Sequence, residues 1–333
     1  MNRLRIQSSS GKKYLPIYLV MAVMLAIFLI FQHDFTKYGF SSLCNQICML
    51  SIVTFAEMLI ILMGGIDMSV GPLTAMLNCF AAANMGRFIA LSGGNVLVGC
   101  ILTALATMLI GCLCGLLNGV MVVYGKLQPI IVSIATGSVF SGLAVIFLPQ
   151  PGGTVERGYA KFLAGRWFGL LPGSLVLMAV CIVCIWIPLR RSRWGHAIYA
   201  IGGSENSAFL SGINVERIKL QTYVLSGFLV SIAGLYLTAQ ASSGDPNGCA
   251  DLATKAITAS VIGGTALSGG EGSYAGAYPG AMILSLILGI LIFLKISSFF
   301  QNLSQGVLLI AVLGFTAMRK MQQEQALQRG KAV

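Results

Sequence analysis

Gly64-Gly65-Ile66-Asp67-Met68-Ser69-Val70-Gly71 closes one long apolar run, and Gly263-Gly264-Thr265-Ala266-Leu267-Ser268-Gly269-Gly270 closes another. The two stretches share the pattern Gly-Gly-x-x-x-Ser-x-Gly at a constant offset, Gly64 to Gly263 and Ser69 to Ser268. Glycine-rich interruptions at corresponding places in two halves of an apolar chain mark transport pathways built from a duplicated unit with broken helices. The copies differ in one chemical respect. The first carries an acid, Asp67, where the second has Ala266.

The rest of the composition fits a chain that lives in lipid. Of 333 residues, 56% are hydrophobic and 9% charged, against roughly 25% charged in a soluble domain. Apolar runs recur along the whole length, so the chain reads as an all-α, polytopic membrane bundle. No polar stretch is long enough for a separate soluble fold, and residues 1–333 form a single transmembrane domain. The net charge of +11 is concentrated in Arg3, Arg5, Lys12 and Lys13, in Arg190, Arg191 and Arg193, and in Arg319, Lys320, Arg329 and Lys331. All three clusters abut apolar runs, which is the positive-inside signal rather than a nucleic-acid surface.

About ten spans are expected, at roughly 15–32, 43–63, 70–88, 95–118, 128–148, 172–189, 218–240, 252–266, 273–293 and 300–317. The third and eighth are short and touch the Gly-Gly motifs, which predicts broken or re-entrant helices there. With both termini cytoplasmic, 14 of the Lys and Arg residues fall inside and 7 outside, as the rule requires. Residues 1–14 and 318–333 then form cytoplasmic tails, 149–171 an outer loop and 190–217 an inner one. Both Gly-Gly motifs lie at inner hairpin ends. Gly111-x-x-x-Gly115-x-x-x-Gly119 and Gly276-x-x-x-Gly280 predict close helix packing, within one subunit or between two.

Ionisable groups inside spans are few. Glu57 lies about two turns before Gly64 and is either a substrate or gating contact or a buried packing residue. Asp67 either caps the helix that follows or touches solute hydroxyls. Lys255 is expected near the outer end of the eighth span, free to snorkel. Pathway or hinge candidates are Glu57, Gly64, Gly65, Asp67, Ser69, Gly71, Gly263, Gly264, Ser268 and Gly270. Nine cysteines are present. Eight fall in or beside apolar runs and read as small hydrophobes, Cys181-x-x-Cys184 included; Cys249 is expected in an outer loop. No metal-ligand cluster, phosphate-binding loop or catalytic constellation is present in the sequence. His33 and His196 fall in predicted loops, which argues against a proton relay.

The inner loop runs Ser204-Glu205-Asn206-Ser207-Ala208-Phe209-Leu210-Ser211-Gly212-Ile213. Ser204 reads as an N-cap and Gly212 as a stop. Between them Ala208, Phe209 and Leu210 give a short helix an apolar patch. Such a helix is too short to be stable alone, so it docks on a partner's groove or on the protein's own inner surface.

With Gly64-Gly65-Ile66-Asp67-Met68-Ser69-Val70-Gly71, the loop from Gly202-Gly203 to Ser211-Gly212-Ile213, Tyr223-x-x-Ser226-Gly227 and Ile262 to Ser273, the chain resembles the membrane permease subunit of bacterial ABC importers of the ribose/xylose/galactose type, nearly end to end. The resemblance implies a pore made with a second permease subunit, as a homodimer or heterodimer. It implies a cytoplasmic ABC ATPase docked on residues 204–213, and a periplasmic solute-binding protein delivering the solute. ATP and magnesium would be bound by the ATPase, and the permease would hold no cofactor and be no enzyme. The chain departs from the family in two places. Ala253, Thr254 and Lys255 stand where it usually has an acidic Glu-Leu-Asp segment, and Glu271 where a basic residue is common. These departures leave open a different sugar, a signalling molecule, a nucleoside or a heterodimer partner carrying the compensating charge; within the same fold, related permeases resemble carriers of nucleosides or branched-chain amino acids, and outside the family an ion-coupled secondary carrier is the competing class.

Overall fold

Apolar runs punctuated by Gly, Pro and Asn fold into helices whose ends coincide with the punctuation. The computed structural model describes residues 10–31, 37–167, 169, 171–297, 300–301, 303–311, 314 and 318. In order these form α1 (Ser10–Phe31), α2 (Lys37–Leu62), α3 (Val70–Leu91), α4 (Val96–Val123), α5 (Pro129–Phe147), α6 (Arg157–Leu163), β1 (Arg166–Trp167), β2 (Leu171–Pro172) and α7 (Gly173–Cys181). A π-helical turn, Ile182–Trp186, carries α7 without a break into α8 (Ile187–Arg191). Then follow α9 (Arg193–Gly203), α10 (Glu205–Leu210), α11 (Val215–Ala241), α12 (Leu252–Ile262) and α13 (Tyr274–Phe293). Asn95 caps α4 by accepting from the Val98 amide, Asn214 caps α11 by accepting from the Arg217 amide, and Pro129 opens α5. These are residues suited to those positions.

The molecule is a multi-pass membrane bundle. Among the described residues six helices are long and apolar enough to cross a membrane. Two further apolar helices, Tyr14–Ile30 and α12, are shorter. Helix α1 begins at Ser10, and its apolar part at Tyr14. The expected tenth span is described only in part, as helix at 303–311, and of the C-terminal tail only Met318 is described. The third helix is not short, since α3 has 22 residues. The eighth is: α12 has 11. Its shortness has a structural cause. The connection from α11 does not stay at the surface but descends along α3. Asn78, inside α3, donates through Nδ2 to the Ser243 carbonyl (3.1 Å) and accepts through Oδ1 from the Asp245 amide (2.8 Å). Further down, the Cys249 carbonyl lies against Gly71, where a Cβ would sit 2.7 Å from it. Cys249 is therefore buried, not in an outer loop, and α12 starts inside the bundle.

Helix α2 is the hub. Its membrane window is 83% buried, against 22% for α4 and 33% for α5, which present Leu, Ile and Val outward. That inversion of the soluble pattern is what a lipid solvent permits. The glycines of α4 face α11 in the same chain. A Cβ on Gly115 would stand 2.3 Å from the Tyr223 carbonyl, and one on Gly227 would stand 2.1 Å from the Gly111 carbonyl. Likewise Gly276 and Gly280 of α13 abut the Gly263 and Ala259 carbonyls of α12.

Candidate functional site at the two helix breaks

Helices α2 and α12 stop in the same way. Gly64 (φ +82°) donates to the Ile61 carbonyl and Gly65 to that of Ile60; Gly264 (φ +83°) donates to Val261 and Thr265 to Ser260. Both are Schellman stops, with a left-handed residue that only glycine occupies without strain. The sequence repeat is thereby displaced by one. Gly64 is equivalent to Gly264, not to Gly263, which keeps a helical φ of −67°. Nor do the serines correspond. Ser69 stands immediately before α3, whereas Ser273, not Ser268, stands before α13 and accepts from the Ala275 amide.

After Gly65 the chain doubles back beside α2. The Asp67 amide donates to Glu57 Oε1 (3.1 Å). Glu57 lies five residues before Leu62, about 7.5 Å back along the helix, so α3 begins well inside the bundle. Asp67 Oδ1 accepts from both the amide (2.9 Å) and the hydroxyl (2.5 Å) of Ser69, an Asx-type turn leading into α3. Asn118 of α4 donates to Ser69 Oγ (2.9 Å), and Ser133 of α5 accepts from the Met68 amide (3.0 Å). Three helices thus satisfy a non-helical segment that lipid would leave unpaired. Glu57 is 0% and Asp67 5% exposed, so in this conformation both serve the turn. Sequence reading named Glu57, Asp67 and Ser69 but not Asn118, Ser133 or Asn78. Their signal was there: each is a polar side chain in an otherwise apolar span, and each bonds an irregular segment.

The second break has Ala266 where the first has Asp67, and backbone bonds hold much of it. Ala266 donates to the Glu271 carbonyl, Gly269 to that of Ala266, and Gly270 to that of Leu62 at 2.9 Å, the last residue of α2. The two breaks therefore touch. Gly202 and Gly203, closing α9, complete the junction. A Cβ on Gly202 would stand 1.8 Å from the Leu62 carbonyl, and one on Gly269 would stand 2.9 Å from the Gly64 amide nitrogen. Tyr199 of α9 donates to the Gly272 carbonyl (2.9 Å), and burial pushes its phenol up to about 12, so it stays protonated at neutral pH. Gly71 belongs elsewhere, at the α3–α12 contact.

Helix α10 follows directly. Ser204 caps it by accepting from the Ser207 amide, and Gly212 (φ +80°) ends it with a third Schellman stop. The apolar patch expected on it is split. Ala208 is buried against Ile201 and Val215, while Phe209 and Leu210 are 70% and 84% exposed. Glu205 is exposed and pairs with Lys219 of α11 at 2.7 Å; Ser211 donates to the Ser207 carbonyl, and Ile213 packs beside Val215. Asn206 is exposed. Between α10, α11 and the first break lies a cavity of about 470 Å³, lined by Gly64, Gly65, Lys126, Glu205, Lys219 and Tyr223 among others. Lys255 sits in the first turn of α12, within 4.0 Å of Asp251. Among the described residues no three His, Cys, Asp or Glu side chains gather as a metal would need.

Residues 39–313 match the family described as branched-chain amino acid transport system, permease component. The chain is 34% identical over 276 residues to ribose import permease protein RbsC of Bacillus subtilis, covering 82% of this chain and 83% of that one. It is 33% identical to the Escherichia coli protein of the same name, over 84% of this chain and 86% of that one. It is 30% identical to fructose import permease protein FrcC of Rhizobium meliloti, over 76% of this chain and 70% of that one. No solved structure matches.

Proposed function

Because the chain belongs to the permease-component family of branched-chain amino acid transport systems, we propose that it is the pore-forming permease subunit of an ABC importer that carries a sugar or sugar-like solute. The family description names amino acids, whereas the three relatives above are named for ribose and fructose; that likeness favours a sugar. The observation that carries the reading is the junction of Leu62, Gly64, Gly202, Gly269 and Gly270. It connects the exposed Phe209–Leu210 tip of α10, through α9, to both helix breaks. A cytoplasmic ATPase seated on that tip would move α9 and α10. The adjoining glycines leave no room for that motion to be absorbed before it reaches α2 and α12.

On this reading about ten spans cross the inner membrane, both termini are cytoplasmic, and the face bearing α9 and α10 is the cytoplasmic one. The 470 Å³ cavity is then the inner vestibule. A second permease subunit completes the pore, a periplasmic binding protein supplies the solute, and ATP with magnesium is bound by the ATPase. Glu57, Asp67, Ser69, Gly64, Gly65, Gly263, Gly264, Ser268 and Gly270 act as hinge residues; the buried carboxyl groups shape the turn and are not the first contact with the solute. The test is uptake of labelled ribose into proteoliposomes holding the permease, its ATPase and its binding protein. ATP-dependent uptake is expected. Uptake that survives without ATP and collapses with an ionophore would make the chain a secondary carrier and end this reading.

A further inference from the structure

At the face opposite α9 and α10, α4 and α11 part. They are pinned together at Gly111, Gly115 and Gly119 against Tyr223 and Gly227. Beyond that crossing they leave a groove of about 580 Å³, closed at its outer end by α6. This volume lies within the roughly 300–1,000 Å³ of ligand-sized pockets. Its lining is almost wholly apolar and includes Leu97, Ala104, Met108, Phe162, Leu177 and Ile232. From Val96 to Met108 the groove follows α4 for thirteen residues, about 18 Å at helical rise, close to the ~15 Å depth of one leaflet's hydrocarbon.

The groove's outer rim is polar and basic. Helix α6 turns Tyr159, Phe162 and Leu163 toward the groove. Arg157 and Lys161, one turn apart, are exposed, and among the described residues neither pairs with an acid. Trp167 packs on Phe162 (ring centroids 5.0 Å apart) and donates to its carbonyl, an aromatic anchor of the kind found at headgroup level. Glu156, capping α6, is the acid next to this pair. A 7-residue helix with cations above and an apolar, leaflet-deep groove below matches one occupant in both charge and shape.

We propose that this groove is a binding site for an anionic phospholipid, one acyl chain lying between α4 and α11 and the phosphate seated on Arg157 and Lys161. The lipid would hold α6 against α4, α7 and α11, where the protein's own side chains leave the space unfilled. The site depends only on the chain's place in the membrane and stands apart from the solute it carries.

The test is native mass spectrometry of the purified full chain with phosphatidylglycerol or phosphatidylcholine of identical acyl chains. The wild type should retain one phosphatidylglycerol in preference to phosphatidylcholine. Arg157→Gln with Lys161→Gln, both on the surface, should cut that preference about 30-fold, two headgroup cations being removed. Ala104→Phe, which fills the groove, should lower retention of both lipids, with thermal unfolding of each variant recorded as the control for folding. A wild type without phosphatidylglycerol preference, or a rim variant that keeps it, would overturn the proposal. Loss of association between copies in Ala104→Phe, with lipid retention unchanged, would make the groove a subunit interface instead.

Discussion

The amide of Gly270 donates to the carbonyl of Leu62 across 2.9 Å. That bond ties the loop of the second helix break to the helix end that begins the first. Carbonyls at a helix terminus have no partner within their own helix; here one is satisfied by the equivalent interruption from the other half of the chain. Two breaks that share a hydrogen bond do not move independently, and the predictions follow from that junction and its neighbours.

Gly202→Ala should be the most damaging small change on the inner face. Its Cβ would meet the Leu62 carbonyl at 1.8 Å and the Gly270 nitrogen at 2.4 Å. Backbone on both sides cannot give way cheaply, and overpacking of this kind costs about 1–3 kcal/mol. Gly203→Ala, with nothing within 4 Å, is the control. Reduced thermal stability and uptake in the first variant alone is expected; equal behaviour would remove the junction from the mechanism.

Glu57→Gln keeps an oxygen acceptor for the Asp67 amide, whereas Glu57→Leu leaves that amide buried and unpaired, at a cost of about 1–3 kcal/mol. Melting of the purified protein should separate the two. A Leu variant as stable as wild type would show that the bond is not what holds the turn.

Asp67→Asn retains an oxygen that can accept from Ser69, so assembly should persist while uptake falls. Asp67→Ala removes the acceptor and should cost about 0.5–2 kcal/mol, as lost caps do. Wild-type uptake in Asp67→Asn would show that charge at this position has no part in transport.

Gly263→Ala should be worse than Gly264→Ala. The first would drive a Cβ to 2.5 Å from the Ala277 backbone; the second meets nothing within 4 Å and incurs only the left-handed penalty, about 1–2 kcal/mol. The reverse order, read from yield and melting temperature, would contradict the one-residue displacement between the two breaks.

Leu210→Arg and Gly212→Asp should leave the permease folded and inserted. Leu210 is 84% exposed; a Cβ on Gly212 meets nothing within 4 Å, and its φ of +80° adds only a left-handed penalty of about 1–2 kcal/mol. Both should weaken co-purification with the ATPase and abolish ATP-driven uptake. Retained association together with normal uptake would refute docking at the α10 tip.

Much of this was legible from residues alone because it is encoded locally. Composition fixed the solvent, glycines marked the helix stops, and Ser204 with Gly212 bounded a helix. Other features were not legible. Cys249 looked like an outer-loop residue because span counting assumes that connections stay at the surface. Asn78 overrides that assumption by drawing the α11–α12 connection inward. The apolar triplet Ala208, Phe209 and Leu210 looked like one patch, because six residues are too few to show which side faces the chain's own Ile201 and Val215.

By itself the sequence determined a helical membrane bundle interrupted at two glycine pairs, since hydropathy and the left-handed stop depend on residues adjacent in the chain. Only the tertiary structure decided that the breaks meet, that they align Gly64 with Gly264, and that Glu57, Asn118 and Ser133 hold the first one open. The physical reason is separation. A broken helix must have its backbone groups satisfied, and the side chains that do so here lie 10 and 65 residues away, beyond the reach of any local pattern.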